Sequence, residues 1–99
     1  MYRGTTPTLS FKLPFDTSDL SAAWVTLAQD GRVIIDKPMS DCVLEGNVLA
    51  VTLTQEETLK LTAENRTEVQ LRVKTTDGIA MASTIWRVET EKILKDEVI

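Results

Sequence analysis

Histidine is absent from the 99-residue sequence, cysteine occurs once, glycine four times and proline three times. Without an imidazole the chain alone can build neither a Ser-His-Asp triad nor a histidine-containing zinc site. One cysteine cannot close an intramolecular disulfide, and nothing in Ser40-Asp41-Cys42-Val43-Leu44 would activate a thiolate electrostatically, so Cys42 is expected to be a small buried hydrophobe. No apolar run approaches the roughly 18 residues of a membrane span. The opening Met1-Tyr2-Arg3-Gly4-Thr5-Thr6-Pro7 lacks the apolar stretch of a signal peptide. The expectation is therefore a cytoplasmic place of synthesis, with no membrane partner and no glycan at the Asn65-Arg66-Thr67 sequon. Basic clusters are missing too: eleven Lys and Arg face fifteen Asp and Glu, for a net charge of −4. Phosphate binding and nucleic-acid partners are disfavoured on that ground.

What is present is β-forming. Thr, Val and Ile make up 29 of the 99 residues, and their branched side chains favour the pleated surface of a sheet. For 11.0 kDa the folded surface should be about 5,600 Å², which allows one core and a single domain over 1–99. Leu9, Phe11 and Leu13 alternate with polar residues up to Pro14, which predicts a first strand over 8–13. Residues 15–21 form a turn-rich connector with room for one helical turn capped by Asp16 or Ser18.

Asp30-Gly31 between two β-rich runs predicts a tight hairpin of strands 24–29 and 32–37. A second hairpin joins 42–44 to 48–53 through Glu45-Gly46-Asn47. At Thr54 the period changes, because Thr54 with Glu57 three residues later makes a capping box that opens a helix to about Leu61. Leu59 and Leu61 are expected to plug one end of the core. From 68 to 75 Val69, Leu71 and Val73 point inward and Gln70, Arg72 and Lys74 outward. Thr76-Asp77-Gly78 then turns into a long last strand, 79–89, whose inward face is ambiguous.

About seven short-spaced strands without long crossovers predict an all-β fold, an antiparallel immunoglobulin-like β-sandwich with one short helix. Trp24 is expected to fill the place of a central core tryptophan.

Candidate chemistry is thin. Asp16 with Asp19, and Glu56 with Glu57, approach paired acids, but turn hydrogen bonding and a helix N-terminus account for them. No catalytic, metal or cofactor-binding residue is assigned, and no cofactor is expected. Trp86 could offer a ligand platform, although its strand-like setting favours packing between sheets. In the tail, 91–99, Ile93, Leu94, Val98 and Ile99 follow a domain whose strands already supply a core. They either cover the domain's own edge or dock on another subunit.

Four stretches also carry a resemblance: the opening Met1–Pro7, Trp24-Val25-Thr26-Leu27, Val51-Thr52-Leu53-Thr54-Gln55-Glu56, and Lys92-Ile93-Leu94-Lys95-Asp96. They resemble small proteins encoded in prophage structural-gene regions of gut Firmicutes. More loosely, the chain is similar to the immunoglobulin-like N-terminal domain of phage baseplate upper proteins, which attaches receptor-binding machinery to the tail. The resemblance implies a non-enzymatic tail or baseplate adaptor, virion-associated, whose partners are other phage structural proteins or further copies of itself. A small-ligand or carbohydrate-binding β-sandwich is the alternative.

Overall fold

The computed structural model describes residues 1–99. Eight strands and one short helix follow in the order β1 Thr8–Lys12, β2 Leu20–Gln29, β3 Arg32–Pro38, β4 Cys42–Glu45, β5 Val48–Thr52, α1 Gln55–Leu59, β6 Asn65–Thr75, β7 Ala80–Ala82 and β8 Trp86–Thr90. They form two antiparallel sheets. One has the order β1-β5-β4; the other runs β3-β2-β6-β7, with β8 also on β6. With β1 as strand B, these are B-E-D and C′-C-F-G, the strand order of an immunoglobulin-like sandwich that has no strand A beside β1.

The period of two sorts the side chains. Ala23, Val25 and Leu27 of β2, Val69, Leu71 and Val73 of β6, and Phe11, Leu49 and Val51 of the smaller sheet are buried in one core, closed by Leu53 and Leu61. The surface of 6107 Å² is close to that expected for the mass. Gln70 is half-buried, while Arg72 and Lys74 are exposed.

The hairpin at Asp30-Gly31 forms with φ of 52° and 76°, the positive values that turn requires. Thr54 and Glu57 cap α1 reciprocally, side chain to backbone in both directions. The helix ends at Leu59, short of Leu61, because the amides of Lys60 and Leu61 bond three residues back. Leu61 plugs the core and Leu59 is half-buried.

Other expectations are corrected. Strand β2 begins at Leu20, not 24, since the turn at Thr17–Asp19, capped by Asp16, delivers the chain directly to the end of β6. β6 begins at Asn65, because β8 extends beside it. The last strand is two. Register runs Arg72 to Ala82 but Val69 to Trp86, so one extra residue is inserted between β7 and β8. Ser83 fills the gap: its Oγ accepts from the Leu71 amide, and its amide donates to the Leu71 carbonyl. The inward set therefore switches parity, from Met81 to Trp86, Val88 and Thr90, which explains why no single alternation fits 79–89. Trp24 is not in the core. It is 45% exposed on the outer face, because Ala23 and Val25 occupy the inward positions beside it. Cys42 is half-buried, its thiol donating to the Pro38 carbonyl at 3.4 Å. Burial and the neighbouring Asp41 push that thiol's pKa up, away from reactivity.

Two polar clusters fix the layers. Gln29 donates to the Thr62 carbonyl and to Thr67 Oγ1, and accepts from the Thr62 amide. Thr67 in turn bonds Thr90 across β6 and β8. Lys37 Nζ lies 3.0 Å from both carboxylate oxygens of Glu57, joining β3 to α1.

Leu71→Ala should destabilise by about 2–5 kcal/mol, as removal of a buried leucine side chain does, measured by urea unfolding. Glu57 gives a pH dependence. Its burial works to raise the carboxyl pKa, but the Thr54 amide and the Lys37 ammonium together outweigh that and hold it below the usual glutamate value. A pKa depressed in the folded state contributes stability that is present above the unfolded pKa and disappears as pH falls through the folded one. Stability should thus fall on acidification from about pH 5 to pH 3, and Glu57→Gln should flatten that slope in unfolding curves collected across the range.

Candidate functional site: an apolar cleft at an open sheet edge

The two sheets part along one side of the sandwich, between β1 and the β7-β8 edge. A cleft of about 350 Å³ opens there, walled by Phe11, Leu13 and Phe15 on one side and Met81 and Trp86 on the other, with Leu71 and Val73 as its floor. A second hollow continues it past Leu9, Val69 and Val88, sharing Phe11 and Trp86. Phe11 and Trp86 meet across the opening, ring centroids 5.2 Å apart and planes tilted by 44°. Trp86 is 43% exposed. It packs between sheets and at the same time presents indole surface to the cleft.

The backbone of β1 adds a polar component. Pro7 accepts from the Leu53 amide, and the Leu13 amide donates to Asn47. With the observed register, residues 7, 9, 11 and 13 make the narrow hydrogen-bonded pairs with β5. The N–H and C=O groups of Thr8, Ser10 and Lys12 consequently point the other way, to the open edge beside the cleft. Apolar pockets next to unpaired strand groups are the two components of strand-addition sites.

The acids singled out in the sequence do not converge. Asp16 accepts from the Ser18 amide, which holds its pKa below the usual aspartate range, and Glu57 is engaged by Thr54 and Lys37. Nor does the tail gather its apolar residues. Ile93 is half-buried, its Cδ1 so close to Gly4 that a Cβ there would lie 2.7 Å away; Gly4 also has φ +69°. Leu94 is 97% exposed and Ile99 85%, with Val98 exposed as well. The tail is anchored in cis by Arg3 to Asp96 and by Gln55 to the Ile99 backbone. Trp86 carried a signal in the sequence. Phe11, Met81 and the free edge of β1 did not, because membership of a cleft or an edge depends on pairing between distant segments.

The ring pair predicts an order of effects. Phe11→Ala, which empties a buried site, should cost about 3–5 kcal/mol. Trp86→Ala should cost less, about 1–2 kcal/mol, since part of the indole is already in water; denaturant titrations of the two variants give the comparison.

No family model matches the chain, and no curated protein matches it. Among solved structures it is similar to the V domain of amphioxus IgVJ-C2, with 14% identity and a TM-score of 0.36 over 94% of this chain and 97% of that one.

Proposed function

We propose that this chain is a non-enzymatic adaptor that works by protein docking, and that it belongs to the structural proteins of a phage or prophage tail or baseplate. The observation that carries the docking reading is the open edge of β1 lying beside an apolar cleft. An extended segment of a partner pairs with the backbone of Thr8, Ser10 and Lys12, while alternate side chains enter the cleft against Phe11, Met81 and Trp86. Backbone pairing supplies orientation, and the apolar pockets supply selectivity. The phage assignment is supported by the resemblance of the opening, the two strand segments and the tail to prophage structural proteins. The exposed Leu94, Val98 and Ile99 offer a secondary contact next to Arg3 and α1. The half-exposed indole of Trp86 favours the second reading, a small-ligand or carbohydrate-binding sandwich.

The products of neighbouring structural genes, titrated calorimetrically against the full chain, test this directly. Ser10→Pro removes one N–H from the open edge and leaves the β5 ladder intact, a change edge strands tolerate. It should abolish partner binding with little loss of stability, whereas removal of residues 93–99 should weaken binding only partly. Binding unaffected by Ser10→Pro would reject strand addition. A glycan-array hit or a ligand-induced rise in melting temperature, lost in Trp86→Ala, would favour the sugar-binding reading instead.

A further inference from the structure

The outer face of the five-stranded sheet carries a feature independent of the cleft. Trp24 stands there on β2, an interior strand flanked by β3 and β6. Register sets it in a row between Pro38 and Arg72. The adjoining row reads Asp36, Thr26, Gln70, and the row on the other side reads Ala22, Lys74, Ala80. Ala28 and Ala82 lie on this face too, and beside the indole a shallow hollow of about 340 Å³ is lined by Thr26, Asp36, Arg72, Lys74 and Ala80. Solvent-facing positions of an antiparallel sheet ordinarily carry polar groups, and nothing in the fold requires a tryptophan here.

The charges around it are divided. Asp36 lies on the β3 flank, held by a hydrogen bond from Thr26 Oγ1 at 2.6 Å. Arg72 and Lys74 lie on the β6 flank and make no ion pair, while Arg66 and Arg87 farther along the same sheet are paired to Glu89 and Glu68. An aromatic centre thus has an oriented anion on one side and two free cations on the other.

We propose that this face joins two copies of the chain about a two-fold axis. A face with opposite charges on opposite flanks is complementary to itself across a two-fold axis. An axis along β2 lays Trp24 against the partner's Trp24 and carries β3 of each copy over β6 of the other. Asp36 then faces the row of Gln70, within reach of the arginine at position 72 one row away, once on each side of the axis. The charge pattern selects this occupant over others: a uniformly acidic partner would meet Asp36, and a uniformly basic one would meet Arg72 and Lys74. A central tryptophan flanked by arginine is also where interfaces concentrate their affinity, and the ion pairs fix register. The face is separate from the open edge of β1, so the inference goes beyond the docking reading and does not rest on it.

Sedimentation equilibrium of the full chain over a concentration series into the millimolar range tests the proposal. A concentration-dependent dimer weakened by salt is expected. Trp24→Ser, Asp36→Arg and Arg72→Asp should each raise its dissociation constant roughly tenfold or more, and the double exchange Asp36→Arg with Arg72→Asp should restore most of the affinity. Circular dichroism establishes that each variant is folded, and Arg72→Gln replaces Arg72→Asp if that one is not. A chain that stays monomeric throughout overturns the proposal, whatever else binds this face; so does a dimer indifferent to Trp24→Ser, or one that the double exchange fails to restore while both folded single variants are weakened.

Discussion

The sandwich depends on β6 having three neighbours along its eleven residues: β2 on one flank, and β7 and then β8 on the other. Its inward side chains follow one rule from end to end, Thr67, Val69, Leu71, Val73 and Thr75, all of them buried. The apolar middle three face the smaller sheet. The threonines at the ends close the core with hydrogen bonds instead, Thr67 to Gln29 and Thr90, Thr75 to Asp77 and the Ile79 amide. A buried hydroxyl without a partner would be costly, and none occurs: every buried side-chain nitrogen and oxygen is bonded. Strand length, core depth and turn position are therefore tied together through one segment.

Signals in the sequence are sufficient where the physics is local. The Asp30-Gly31 hairpin depends on two residues that accept positive φ, the capping box on two side chains three residues apart, and the burial of Val69, Leu71 and Val73 on strict alternation. Three features have distant causes and leave no local signal. The parity of β7 and β8 changes at an insertion that only β6, as the partner strand, defines. Trp24 faces outward although a tryptophan in an apolar strand suggests a core position; the small Ala23 beside it was the inward residue. The cleft joins Phe11 to Trp86, residues on different sheets, and no periodicity within either strand records that they meet.

The chain's polar chemistry is largely committed to holding its parts in place. Asp16 caps a turn, Glu57 caps α1 while binding Lys37, and Arg3 reaches the carbonyl of Leu59, the last residue of that helix, and that of Leu61 just beyond it. The contact to Leu59 satisfies a carbonyl that a five-residue helix leaves unbonded. Among the groups that remain free are the backbone of one strand, two half-exposed indoles, and the unpaired Arg72 and Lys74 beside one of them. Such groups are the ones on which the proposed docking rests.

The first and last segments run side by side in the same direction. Tyr2 and Glu91 form a parallel bridge, the Arg3 amide bonds the Glu91 carbonyl, the Glu91 amide bonds the Met1 carbonyl, and the terminal amine reaches Glu89. Pulling such a pair by its opposite ends slides one segment lengthwise past the other. The load falls on all these bonds at once, together with the Arg3 guanidinium that straps α1 and Asp96 to the same junction. Tension applied between residues 1 and 91 therefore meets these bonds in shear, loaded side by side and not one after another.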